Sequence, residues 1–141
     1  MEPLDLSKRP PRGPREQLDG LVMMARTIDK LRATLPGGNP GSYKIAGFSE
    51  RLFERLGVSE ADLREAVRAA SSDEDIAVWL RARTDPGKYS EINAFFESLV
   101  HEKLKDPAGF DERYPVRKRL GLSKLLDVLE ADDRESFKSL I

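Results

Sequence analysis

Residues 59–80 read SEADLREAVRAASSDEDIAVWL, two helix-length segments that each open on a serine. Ser59 precedes Asp62 by three residues, the spacing of a capping box with Asp in place of Glu or Gln. Leu63, Ala66, Val67 and Ala70 then recur at threes and fours, which makes one face of the segment apolar. Ser72 starts a second helix, and Asp73, Glu74 and Asp75 put three carboxylates at its positive end. Ile76, Trp79 and Leu80 supply its inner face. A helical period occurs twice here with no alternating strand pattern between, so the fold is read as helices packed on helices.

The same reading extends outward. Toward the N-terminus, Ser49 is placed to cap a helix carrying Leu52, Phe53 and Leu56 and ending at Gly57. Before it, Tyr43 to Phe48 has weak strand character, so one short hairpin near residues 42–48 is admitted. Pro36-Gly37-Gly38-Asn39-Pro40-Gly41 stops a first helix, expected over Arg15 to Leu35 from the stripe Leu18, Leu21, Val22, Ala25, Ile28 and Leu31. Residues 1–14 hold Pro3, Pro10, Pro11 and Pro14, which predicts an extended arm. Toward the C-terminus, Thr84 to Gly87 breaks the chain. Ser90 is expected to cap a helix with the stripe Ile92, Phe95, Phe96, Leu99 and Val100, ended by Asp106 to Gly109. The tail is basic from Arg113 to Lys124, then leucine-rich, then acidic. The expected fold is all-α: a compact bundle of about six or seven helices with an extended N-terminal arm, read as a single domain over residues 1–141.

Composition narrows the function. Twenty-four Lys and Arg stand against 25 Asp and Glu, a formal net charge of −1. A whole-protein field attracting nucleic acid or an anionic membrane is therefore not expected. The chain has no cysteine, which removes disulfides, thiolate nucleophiles and thiolate metal ligands. No run approaches the ~20 apolar residues of a membrane span, and no apolar run near the N-terminus resembles a secretory signal. A cytoplasmic location is the expectation.

Few residues form a chemical motif. The loop from Gly37 to Lys44 is glycine-rich, but a phosphate loop follows a strand and ends in Gly-Lys-Ser/Thr. This one follows a helix, has Tyr43 before Lys44, and has Ile45 at the hydroxyl position, so it is read as a helix-ending turn. His101, the only histidine, has Glu97 one turn earlier and Glu102 beside it. Two ligands do not make a firm metal site, and the favoured reading is a solvated helix histidine. Asp73, Glu74, Asp75, Asp132 and Asp133 are read as helix-end or surface carboxylates rather than an acid/base pair. No metal and no cofactor are expected.

Two basic clusters remain. One, Lys8, Arg9, Arg12 and Arg15, lies in and just after the arm; the other is Arg113, Arg117, Lys118 and Arg119, with Tyr114 able to stack on a base. The favoured reading is intramolecular, with the arm docking on acidic helices. On the first helix, Arg26, Asp29, Lys30 and Arg32 fall on the more polar side; a solvated face with a local ion pair is the favoured reading, and the frame of a small anionic pocket beside the arm is the other.

The stretch DLSKRPPRGPR (residues 5–15) followed by ARTIDKLRA (residues 25–33) resembles a bacterial family catalogued as domain of unknown function 5069. That family's arm reads D-L-S/T-K-x-P-P-R-S-P-R before a helix bearing R-x-x-D-K-x-R-A. The helix carrying Asp75, Ile76 and Trp79 resembles its middle region. Gly13 stands where the pattern has Ser, and residues 36–48 differ from its shorter turn. The resemblance implies a compact intracellular bacterial domain and brings no catalytic residues with it.

The sequence therefore suggests a non-enzymatic binding or interaction domain. Its candidate ligand-binding residues are Arg12, Arg15, Arg26, Asp29 and Lys30, cations for a small anionic ligand with Asp29 orienting them. A protein partner is the other occupant considered, and oligomerisation is left open. One rival is an enzyme using scattered carboxylates and His101; another is nucleic-acid binding through both basic clusters.

Overall fold

A helix carrying both apolar and charged residues lies at the centre of the molecule. The computed structural model describes residues 1–138, and within them every regular element is helical. The central helix, α1 (Met24–Arg32), is buried on nearly all sides. Around it run α2 (Gly47–Leu56), α3 (Glu60–Ala69), α4 (Asp73–Arg83), α5 (Tyr89–Ser98), α6 (Pro107–Arg113), α7 (Val116–Leu120) and α8 (Leu125–Ser136), with short 3-10 turns at Pro86–Lys88 and His101–Lys103. The all-α class holds. The count exceeds the expected six or seven because the segment after Asp106 divides into three helices.

Met24, Ala25, Ile28 and Leu31 of α1 meet Leu52, Leu63, Ile76, Leu80, Phe96 and Leu126 in one core cluster. A second cluster joins Phe110, Val116, Leu125 and Val128 beneath the C-terminal helices. Removing such side chains from water supplies the main drive for folding. No helix among the described residues is long and apolar enough to cross a membrane.

The caps of the central pair follow the sequence. Ser59 Oγ accepts from the Asp62 N–H at 3.1 Å, and Ser72 Oγ accepts from the Asp75 N–H at 3.5 Å. Elsewhere the boundaries move. The first helix starts at Met24, not Arg15, because Leu18 and Leu21 exchange backbone hydrogen bonds of 3.1 and 3.0 Å around Asp19 and Gly20. Both turn residues have positive φ, 54° and 83°, the geometry an Asp-Gly pair favours in a two-residue reversal. The three-residue spacing of Leu18 and Leu21 imitates a helical period while serving this turn.

Residues 42–48 form no hairpin. A short strand needs a neighbour to satisfy its backbone, and the only bridges among the described residues join Asp5 to Asn39, Leu18 to Leu21 and Val100 to Lys124. Helix α2 begins at Gly47, so Ser49 lies inside it; Ser49 is buried, with its hydroxyl 3.1 Å from that of Thr27, and caps nothing. Ser90 is likewise within α5. The cap upstream is Asp85, whose Oδ1 accepts from the Gly87 N–H at 2.9 Å and starts the 3-10 turn that runs into α5. That helix stops at Ser98; the Leu99 N–H donates back to the Phe96 carbonyl at 3.3 Å, and its own carbonyl accepts from the Leu125 N–H at 3.0 Å.

The arm packs as part of this body. Leu6 N–H donates to the Asn39 carbonyl at 2.7 Å, and Asn39 N–H donates to the Leu4 carbonyl at 2.9 Å. Leu4 and Leu6 bury against Ala33. The glycine-rich loop makes that approach possible. A Cβ on Gly38 would collide with the Ala33 carbonyl, and Gly41, at φ +57°, would put one 2.8 Å from the Leu6 carbonyl. These glycines allow close backbone contact, a structural role in place of a phosphate cradle.

Candidate functional site

The five candidate residues divide into two groups. Arg12, Arg15 and Asp29 tie the arm to the helices. The Arg12 guanidinium reaches Asp73 at 2.5 and 3.1 Å and Asp29 at 3.1 to 3.3 Å, while its backbone N–H donates to Asp29 Oδ2 at 2.8 Å. Arg15 donates to Glu97 at 2.7 and 3.1 Å, to Asp127 at 2.8 Å, and to Glu130. Hydrogen bonding to Asp73 raises the pKa of Arg12, and hydrogen bonding to Glu97 does the same for Arg15. Their charge is spent within the chain, and the arm's docking on acidic helices is what these pairs form.

Arg26 and Lys30, one turn apart on α1, meet at a different place. The Arg26 side chain is 2% exposed and forms a two-pronged pair with Asp133 of α8, at 2.6 and 3.1 Å. Its Nη1 also donates to the Arg12 carbonyl at 3.3 Å, so the arm helps to fix it. Its Nε is buried with no partner among the described residues. Tyr43 completes the set: its hydroxyl donates to Asp133 Oδ1 at 2.9 Å, and its ring lies 5.5 Å from the Arg26 guanidinium carbon. Burial, then the Asp133 charge, pushes the Tyr43 hydroxyl well above its usual range. The polar side of α1 is therefore covered rather than solvated.

Lys30 Nζ donates to the Lys44 carbonyl at 3.1 Å and lies 5.9 Å from the Tyr43 ring centre. No carboxylate lies within 4 Å of it among the described residues. Burial, with the Arg26 charge behind it, pushes the amine down to about 8, against the pull of Asp133. The unfolded chain keeps this proton up to its ordinary value near 10.5, so the folded state gains relative stability as pH rises through 8. From about pH 7.5 to about pH 9.5, the wild type should gain about 2 kcal/mol relative to Lys30→Met. Urea titrations of both proteins across that range measure it. A pH-independent difference would show that the ammonium is not desolvated.

These two side chains open on a cleft of about 590 Å³ between α1, the loop before α2, α6 and α8. Lys44, Arg51 and Arg113 line it with them, and among the described residues Asp132 is the one carboxylate on its wall. Phe48, Leu104, Phe110, Tyr114 and Leu125 give it an apolar side. Burial and the neighbouring Asp133 raise Asp132 above the usual carboxylate range, against Arg26. Burial raises the Tyr114 hydroxyl too. Sequence reasoning missed Tyr43, Lys44, Arg51, Arg113 and Asp132 as members of one site, since they come from four separate segments. The sequence marks Tyr43 and Lys44 only inside a loop rejected as a phosphate motif, Arg113 only in the second basic cluster and Asp132 only as a surface carboxylate; nothing in it joins them.

His101 departs from its expected setting. It sits in a 3-10 turn beyond α5, not on a helix with Glu97, and Glu97 is engaged by Arg15. The His101 Nε2 lies 2.9 Å from Asp111 Oδ1 and 3.3 Å from the Pro107 carbonyl, so the side chain is tucked in rather than solvated. Arg117 holds the same Asp111 oxygen at 2.7 Å, and its hydrogen bond keeps that carboxyl below its ordinary value. His101 is not part of the cleft lining. Among the described residues no three His, Asp or Glu side chains converge as metal ligands. The second basic cluster is partly neutralised, through Arg117 with Asp111 and Arg119 with Glu135 at 3.0 Å.

A family model described as a domain of unknown function (DUF5069) matches residues 8–134, a span holding every charged side chain of the cleft. No curated protein matches the chain.

Proposed function

The chain belongs to the DUF5069 family, whose description assigns no activity, and from the cleft we propose that it is a binding domain for a small organic anion with an apolar or aromatic body. One observation carries this reading. Lys30, Lys44, Arg51 and Arg113 line one concavity, have no carboxylate partner among the described residues, and face an apolar wall. Unpaired cations held on low-dielectric walls focus a positive potential into the space between them. A concave, largely apolar site with a few convergent polar groups is the usual form of a small-molecule site. Arg26 and Lys30 belong to the wall, while Arg12, Arg15 and Asp29 belong to the pairs that tie the arm down, and of these only Arg12 reaches Arg26, through its carbonyl. A bacterial cytoplasmic setting belongs to the same proposal.

Calorimetric titration with phenyl phosphate and with inorganic phosphate tests it. Phenyl phosphate is expected to bind more tightly, because its ring reaches the apolar side. Replacing both Arg51 and Arg113 by Glu should weaken it by about tenfold or more, the equivalent of at least ~1.4 kcal/mol. Equal affinity in the wild type and the double variant would place the anion elsewhere and refute the proposal.

The nucleic-acid reading has less support, since Arg12, Arg15, Arg117 and Arg119 are engaged by carboxylates of the same chain. The enzyme reading through His101 has less as well, because that side chain faces Asp111 outside the cleft.

A further inference from the structure

We propose that Lys30 is a nucleophilic amine that captures an anionic aldehyde or ketone in the cleft as an imine. The inference rests on the anion-binding reading and adds a chemical class to it: the ligand carries a carbonyl group as well as a negative charge and an apolar body.

The placement of the amine is the first support. Lys30 Nζ opens on the cleft and is held by the Lys44 carbonyl at 3.1 Å, a neutral acceptor. A carboxylate hydrogen-bonded to it would keep it an ammonium ion; beside it are the Tyr43 ring and, one turn back on α1, the Arg26 guanidinium, whose charge and burial outweigh the pull of Asp133. Desolvation and a cationic neighbour are the conditions that free a lysine lone pair for attack on a carbonyl. With the amine near 8, the neutral fraction at neutral pH is roughly 300 times that of an ordinary lysine.

The rest of the wall supplies what the reaction needs. Arg51 and Arg113 can hold the anionic group, and the apolar side can hold the carbon body. Asp132 faces the same space, and burial with its Asp133 neighbour raises its proton affinity above that of an ordinary carboxylate, against Arg26. In the first step the Lys30 lone pair forms a C–N bond, the carbonyl π pair moves to oxygen, and that oxygen gains the proton the nitrogen loses. In the second step the hydroxyl takes a proton from Asp132 and leaves as water, the nitrogen pair closes the C=N bond, and the remaining N–H proton returns to the Asp132 carboxylate when the imine is released as its neutral form. The sum is amine plus carbonyl giving imine plus water, with no change of oxidation state and no co-reactant.

The full chain is incubated near neutral pH with an equimolar amount of pyridoxal 5′-phosphate, an aromatic aldehyde bearing a phosphate. Borohydride then fixes any imine as a secondary amine, and peptide mass spectrometry locates it. The expected result is an adduct at Lys30 at least about tenfold more abundant than at any other lysine, suppressed by excess inorganic phosphate. An adduct spread over Lys8, Lys88, Lys105 and the others with no excess at Lys30 overturns the inference. The mapping uses the wild type, so it does not depend on a variant that folds. Lys30→Arg serves as a second check and should abolish the dominant adduct. Pyridoxine 5′-phosphate, with an alcohol in place of the aldehyde, separates the two claims. Its binding without a Lys30 adduct from the aldehyde would leave the anion site standing and remove the imine. Failure of both compounds to bind would remove both.

Discussion

Replacing Asp133 by alanine should lower the unfolding free energy by about 3–5 kcal/mol, the cost of leaving a buried charge without its partner. Arg26 is 2% exposed, and Asp133 receives both of its terminal nitrogens, at 2.6 and 3.1 Å. The substitution also takes the acceptor from the Tyr43 hydroxyl. Arg26 has little left to turn to, since its remaining hydrogen bond is to the Arg12 carbonyl at 3.3 Å and its Nε already lacks a partner among the described residues. A double change, Arg26→Met with Asp133→Leu, should cost less than the single one, because it removes the uncompensated charge together with its desolvation penalty. Urea denaturation of the three proteins measures this. A loss below about 1 kcal/mol for Asp133→Ala would mean that water reaches the guanidinium, and the buried pair would not be what fixes Arg26.

Arg12→Ala should destabilise the protein by about 2–4 kcal/mol. The reason lies in its partner: Asp29 is 4% exposed and would lose every guanidinium contact of 3.1 to 3.3 Å. The carboxylate would keep the backbone N–H of residue 12 at 2.8 Å and Arg32 at 3.7 Å, which holds the effect below that of Asp133→Ala. Asp73, the other partner, is 44% exposed on its side chain. Asp73→Ala should therefore cost less than about 1 kcal/mol, as exposed pairs do. Comparable losses at Asp29's partner and at Asp73 would show that burial does not govern the arm's attachment.

The features of the fold that are legible in the sequence are those set by neighbours along the chain. Ser59 and Ser72 cap their helices three residues before the amide they accept from, a distance the sequence contains in full. Apolar spacing identified α3 and α4 for the same reason. The first helix misled because Leu18 and Leu21 fit a helical stripe, although Asp19-Gly20 between them carries the stronger local signal for a reversal. His101 misled because the Leu99 and Val100 that precede it continue the apolar pattern of α5 after the helix has ended. The candidate site was legible only in part. Arg26 and Lys30 are near each other in the chain, but what distinguishes Lys30 from Arg12, Arg15 and Arg26 is that it lacks the carboxylates those arginines draw from 61 to 115 residues away. Arg15 meets Glu97, Asp127 and Glu130, whereas Lys30 meets a carbonyl. Long-range pairing of that kind leaves no periodic trace in one sequence.

On the proposed function, the cleft beside α1, and not the arginine-bearing arm, is where this domain meets an anion. Backbone amide shifts of the ¹⁵N-labelled protein, followed through a titration with phenyl phosphate, test it most directly. Saturable changes are expected to concentrate at Lys30, Lys44, Arg51, Arg113 and Tyr114 on the cleft wall. Changes confined to Lys8, Arg9 and their neighbours in the arm, or no saturable change at all, would contradict it.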